Sequence, residues 1–257
     1  MAERNIKLVI EYDGTEYAGW QIQAEERTVQ GTILDAVRNT TGKDVNLIGA
    51  GRTDAGVHAL GQVANFQIDH RLEPDRYRDA LNYYLPNDIR VKESCEVEPD
   101  FHARFSAIWR RYRYFVSPER TAIYRNQRWF HPWPLEFERL TEAAKLVLGE
   151  HDFTPFCVVA SRKENNTCRV DYSRWRRYGP LLMYEIRANR FLHSMVRSLV
   201  GCMVNLGEVH QDKNSLNLTL EAFKDIMSAS SEQRMAFTAP GHGLYLVSVG
   251  YERNSTA

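Results

Sequence analysis

Four glycines within thirteen residues, Gly49, Gly51, Gly56 and Gly61 of the stretch GAGRTDAGVHALG, constrain this chain more than any other feature. Glycine reaches backbone angles and close approaches denied to other residues, so a run this dense must turn tightly or bring backbone against a ligand. A dinucleotide fingerprint would use Gly49 and Gly51, but three residues after Gly51 stands Asp54, whose carboxylate would repel a pyrophosphate. A phosphate-binding P-loop would need GK[ST] after the glycines, and none follows. What the loop carries is an arginine, a carboxylate and a histidine: Arg52, Asp54 and His58. Taken alone, a loop aspartate is more often a turn former or helix cap than a catalyst.

The flanking sequence predicts strands and helices in alternation. Ile6 to Tyr12 is rich in branched residues and runs into a turn at Asp13-Gly14, which reads as a strand. Thr28 is placed to cap a helix through about Asn39, with Val29, Ile33, Ala36 and Val37 on one face and Gly42 as the stop. The loop then leads into a strand, QVANFQI, and Pro74 opens a helix that ends before Pro86. In RRYRYF, period two puts Arg110, Tyr112 and Tyr114 on one face and Arg111, Arg113 and Phe115 on the other. Pro134 is expected to start a helix closed by Gly149, and a hairpin is expected about Gly179-Pro180. Asn189 is expected to cap a long helix to about Leu206, which would place His193 and Arg197 one turn apart on a shared face. A short helix at Leu220 to Met227 and the strand GLYLVSVGY complete the pattern. Interleaved hairpins and helices predict an α+β fold with a mainly antiparallel sheet. Two similar halves, residues 1–104 with the Asp54 loop and residues 105–257 with the Tyr112 strand and the Arg197 helix, would leave a central cleft.

Lysine plus arginine equals aspartate plus glutamate at 33 each, so net charge does not select a partner. Distribution does. From His102 to His131 seven arginines face one acid, Glu119, and from Arg169 to Arg197 seven more face Asp171 and Glu185. Aromatic residues lie between them, a pattern that fits RNA phosphates and unpaired bases and equally fits a solvated charged face. Cys95, Cys157, Cys168 and Cys202 have no CxxC spacing, so free thiols and no metal site are expected. No stretch approaches the roughly 20 apolar residues of a membrane helix. A soluble, cytoplasmic protein is the expectation.

The loop string GRTDAGVHALGQV resembles the signature of the TruA family of transfer RNA pseudouridine synthases. EYDGTEYAGWQ, FHARFSA before RRYRYF, ANRFLHSMVRSLVG and GLYLVSV resemble the same family in the same order, over nearly the whole chain. The resemblance implies a pseudouridine synthase fold, and an enzyme that converts uridine to pseudouridine at positions 38, 39 and 40 of the tRNA anticodon stem-loop without a cofactor. It implies Asp54 as the catalytic carboxylate and Arg197 as its basic partner. Tyr112 would stack on the target uracil, Arg52 would help displace the nucleotide and hold its place, and Leu244 would line the pocket. It further implies a homodimer with one RNA bridging both subunits. His58 and His193 stay outside the catalytic set, because a histidine beside such a loop more often fixes it by hydrogen bonding. Two rivals remain: a non-catalytic RNA-binding module, and a nucleotide-dependent enzyme built on the glycine loop.

Overall fold

The computed structural model describes residues 3–209, 218–228 and 237–251. They form an α+β protein of mainly antiparallel strands flanked by helices. Two compact units divide the chain: Met1–Ile108 with Tyr245–Ala257, and Trp109–Leu244.

In the first unit, β1 (Arg4–Tyr12) lies between β3 (His58–Ile68) and β4 (Ile89–Val97), antiparallel to both. The short β2 (Ile48–Gly49) pairs with β3, and so does the chain's last strand, β10 (Leu244–Gly250), in parallel at Tyr245 and Leu246. This parallel pairing seats residues from Tyr245 onward in the first unit. It also lengthens β3, which starts at His58 and not at Gln62. Alternation in β1 buries Ile6, Leu8, Ile10 and Tyr12. Val9, on the opposite face, packs against Ala50, Val63 and Ala103. β4 buries Ile89 and Val91 and then turns charged, with Lys92, Glu93 and Glu96 exposed, as suits a strand at a sheet edge.

Helix α1 (Val29–Thr41) has the expected limits. The Thr28 side chain accepts from the Gly31 N–H, worth about 1 kcal/mol. Gly42 ends the helix at φ 71°, its N–H donating to the Arg38 carbonyl. Val29, Ile33, Ala36 and Val37 are buried, the face that period 3.6 selects. Pro74–Arg76 forms one 3-10 turn before α2 (Tyr77–Tyr84).

In the second unit, β5 (Trp109–Ser117), β7 (Gly149–Asp152), β8 (Thr167–Tyr178) and β9 (Leu181–Ala188) form an antiparallel array in the order β5-β9-β8-β7. The hairpin of β8 and β9 turns at Gly179-Pro180 as read from sequence. β6 (Trp129–Phe130) adds a short parallel pairing to β5. Arg110, Tyr112, Tyr114 and Val116 form the buried face of β5, and Arg111, Arg113 and Phe115 the half-buried one.

Two helices begin later than the sequence predicts. α3 (Phe137–Leu146) does not start at Pro134, because Leu135 bridges Glu208 and the Glu136 N–H donates to the Gly207 carbonyl, which holds that stretch extended. It ends before Gly149, which has φ 106° and opens β7. α4 (Met195–Gly207) is not capped by Asn189, whose side-chain oxygen accepts from the N–H groups of Arg169 and Arg190. Its cap position is Ser194 at φ 61°. His193 therefore precedes the helix that carries Arg197, with its Nδ1 2.8 Å from the Ser161 hydroxyl, and the two do not share a helical face. α5 (Leu220–Ser228) buries Phe223 and Met227. Among the described residues, no helix is long and apolar enough to cross a membrane.

Candidate active site

The Asp54 loop is held from below by the segment that follows β1. The Trp20 N–H donates to the Thr53 carbonyl at 3.0 Å, and the Gly56 N–H to the Tyr17 carbonyl at 3.3 Å. The Val57 N–H donates back to the Asp54 carbonyl at 3.2 Å, which closes a tight turn around the aspartate. Tyr12 and Thr53 share a buried hydroxyl–hydroxyl hydrogen bond of 2.8 Å. The Gln62 side chain donates to the Gly51 carbonyl at 2.7 Å. Every one of these contacts fixes backbone or a neighbour of Asp54, so a loop rich in glycine, costly in entropy to order, arrives preorganised.

Gly19 makes the clamp possible. Its φ is 106°, and a Cβ there would stand 2.6 Å from the Thr53 carbonyl oxygen. EYDGTEYAGW is thus a positioning segment, a role that periodicity cannot reveal because each partner lies more than 30 residues away.

Within the loop, Arg52 is exposed, Thr53 buried and Asp54 half-buried. His58 is 2% exposed; its Nδ1 accepts from the Gly14 N–H at 3.0 Å and its ring stacks on Tyr245 at 4.7 Å. The same Nδ1 lies 3.2 Å from the Asp13 carboxylate, and these contacts make His58 a strut of the loop.

The second unit carries the other residues singled out by sequence. Tyr112 is 7% exposed, with Phe191 edge-on at 5.0 Å. Arg197, in the first turn of α4, is half-buried, and its Nε donates to the Ala239 carbonyl at 2.8 Å while the Ala239 N–H donates to the Arg197 carbonyl. This reciprocal pair orients the guanidinium and ties Ala239 to the helix. Tyr114, one position pair along β5 from Tyr112, donates to the Pro240 carbonyl at 2.7 Å. Burial pushes the Tyr114 phenol up, and the Arg197 guanidinium partly opposes the shift. Leu244 is 6% exposed at the start of β10. The segment around Ala239 and Pro240 escaped the sequence reading, since nothing in its composition marks it as an anchor.

Some arginines of the basic stretches lie over aromatic rings: Arg128 over Tyr124 at 4.0 Å, Arg120 over Phe130 at 4.7 Å and Arg177 over Phe137 at 4.7 Å. Arg113 pairs with Glu185, and Arg187 with Asp171, so part of the positive charge is spent internally. The four cysteines are free thiols. Among the described residues no group of three or more His, Cys, Asp or Glu side chains is arranged to hold a metal ion.

The model of a family described as tRNA pseudouridine synthase matches residues 8–106 and 143–252. The tRNA pseudouridine synthase A of Acetivibrio thermocellus is 42% identical over 252 residues, which is 96% of this chain and all of that protein. Those of Thermoanaerobacter sp. strain X514 and Brachyspira hyodysenteriae are 39% and 40% identical, over 96% and 94% of this chain and 100% and 96% of theirs. The matched residues take in the Asp54 loop, the segment that clamps it, α4 and the last strand, and with relatives aligned almost end to end the chain belongs to the tRNA pseudouridine synthase family.

Proposed function

We propose that this member of the family isomerises uridine to pseudouridine at positions 38, 39 and 40 of the tRNA anticodon stem-loop, with Asp54 as the catalytic carboxylate. The observation that carries the proposal is the preorganised RTDAGVH loop: backbone on both sides of Asp54 is fixed by hydrogen bonds from Trp20 and to Tyr17, in a chain whose relatives are tRNA pseudouridine synthases.

The chemistry balances within the substrate. The bond from ribose to ring nitrogen breaks, the uracil turns, and a bond from the same ribose carbon to carbon 5 forms. Carbon 5 loses a proton and the ring nitrogen gains one, so the reaction consumes neither electrons nor net protons and calls for no cofactor. Addition of Asp54 to the base, its attack on the sugar, and its removal of a sugar proton all need the ionised carboxylate.

In this proposal Arg197 is the basic partner of Asp54, Tyr112 the aromatic surface for the uracil, Arg52 the residue that takes the place of the displaced nucleotide, and Leu244 part of the pocket wall. A base removed from its stack needs new stacking, which an aromatic side chain supplies. Resemblance to the family supports these roles, together with the orientation of Arg197 by Ala239. The same resemblance supports a cytoplasmic homodimer with one RNA bridging both subunits; its mass in solution tests that part. Phosphate contacts would position the RNA and shape would select it.

The test is tritium release from tRNA labelled at carbon 5 of its uridines, with no cofactor added. Wild type releases tritium, Asp54→Asn does not, and both bind tRNA within a few fold of each other. Binding without release by wild type would support the non-catalytic module instead. Release by Asp54→Asn would remove the carboxylate from the mechanism.

A further inference from the structure

The motif FHARFSA carries at Phe105 an aromatic ring that the fold presents to solvent. Phe105 is 77% exposed, and single exposed apolar side chains need no special explanation. What sets this one apart is its mounting. Asn65, buried on β3, accepts from the Ala103 N–H at 2.9 Å and donates to Asn5 at 2.8 Å. Asn5 in turn donates to the carbonyls of Glu98 and Phe101 at 3.0 and 2.9 Å. The Tyr251 hydroxyl donates to the Ala103 carbonyl at 2.8 Å, and its ring packs on Phe101 at 4.9 Å. Buried amides in such a network are satisfied by one loop geometry and penalise others.

The tip itself is closed by His102. Its Nδ1 accepts from the N–H groups of Arg104 and Phe105 at 3.1 and 3.2 Å, and its N–H and carbonyl bond with Ser106. The imidazole lies 4.3 Å from the Phe105 ring at 31°, backing it, and the Arg104 guanidinium carbon stands 5.6 Å from the ring centre. Ala103 packs with Ala50, four residues before Asp54, so the platform and the catalytic loop share one small core.

We propose that Phe105 is a base-stacking platform for an unpaired nucleotide of the tRNA outside the target uridine, a reading that rests on tRNA being the substrate. A rigid open ring beside a guanidinium matches a nucleotide, which has a π-face and a phosphate. A second copy of the chain fits worse: Glu98, Asp100, Arg104 and Ser106 of the same loop are exposed and polar, whereas a stable interface needs an apolar centre. Glu98 and Asp100 also mean that the loop is no general sink for polyanions. Stacking, not net charge, supplies the affinity.

The experiment measures tRNA binding by filter retention across a salt series, and kcat and KM by tritium release, for wild type, Phe105→Ala, Phe105→Leu and Phe105→Trp. The exposed ring leaves the fold intact when replaced, which an unchanged Tm verifies. Phe105→Ala and Phe105→Leu weaken binding and raise KM about 5- to 100-fold. Their single-turnover rate at saturating tRNA stays within twofold of wild type, and their salt dependence matches wild type. Phe105→Trp binds within about twofold of wild type. Unchanged binding by Phe105→Ala, binding by Phe105→Leu equal to that by Phe105→Trp, or a change of oligomeric mass in Phe105→Ala each overturns the platform while leaving the enzyme assignment intact. Absence of tRNA binding by wild type overturns both.

Discussion

Gly19→Ala tests whether the clamp beneath the Asp54 loop sets catalysis. The added Cβ would stand 2.6 Å from the Thr53 carbonyl oxygen, where ordinary van der Waals contact starts at 3.4 Å, so loop and segment must separate by 0.8 Å, the difference. That displacement acts on the residue next to Asp54 and stretches the 3.0 Å bond from the Trp20 N–H to the same oxygen. A misplacement near 1 Å costs a positioned group about 100-fold, so kcat should fall about 10- to 100-fold with the carboxylate untouched. Strain at φ 106° adds about 1–2 kcal/mol of lost stability. Gly42→Ala is the matched control. It also forces alanine into positive φ, at 71°, but its Cβ meets nothing within 4 Å. It should lower Tm by about 2–4 °C for roughly 1 kcal/mol while leaving kcat at the wild-type value. The assay is single-turnover tritium release at saturating tRNA, beside thermal melting of each protein. Full activity in Gly19→Ala, or an equal loss of activity in Gly42→Ala, would refute the argument that approach at this one atom positions the site.

Tyr12→Phe should destabilise the protein by about 1–2 kcal/mol in urea titration, because it takes a partner from the buried Thr53 hydroxyl; adding Thr53→Val should cost less than the two single changes summed. His131 gives a pH signature: burial pushes its imidazole down to about 4, so the fold holds it neutral while the unfolded chain protonates near 6.5. Stability is then full above pH 6.5 and falls as pH drops toward 4. By pH 5 about 2 kcal/mol is lost, less the favourable pull of Glu208, 3.4 Å away, on the imidazolium. His131→Gln should flatten urea-measured stability between pH 7 and pH 5, and an unchanged slope would show the depression to be absent.

Local signals proved readable where local physics decides. Thr28 and Gly42 bound α1 because a cap and a left-handed stop act over one turn, and the β8–β9 hairpin follows from Gly179-Pro180 and strict alternation. Local signals mislead where distant partners compete. Leu192 and Met195 extend an apolar stripe that tempts a helix back to Asn189, yet Asn189 binds the Arg169 backbone across the hairpin and Ser194 takes φ 61°, an angle no composition announces. β6 and β7, of two and four residues, exist only through pairing with β5 and β8. The same division holds at the site. Asp54 is legible as a motif, but the bonds that hold its loop come from residues near Tyr12 and Trp20, and Arg197 is oriented by Ala239, 42 positions on.

This division separates architecture from chemistry in a way that two variants can exploit. The shape of the loop rests on backbone groups of Thr53, Asp54, Gly56 and Val57 and on the side chains of Tyr12 and Gln62. An amide in place of the Asp54 carboxylate leaves all of those bonds in being, so Asp54→Asn should lose the reaction and keep the fold. Gly19→Ala does the reverse, keeping the carboxylate and moving its support. If both changes act on the same transition state, their effects on kcat cannot multiply, because displacing a carboxylate that has already been replaced removes nothing further. tRNA affinity should then be nearly the same in the two single variants and the double one. Binding that falls further in the double variant would place the 49–58 loop among the RNA-anchoring elements as well as the catalytic ones.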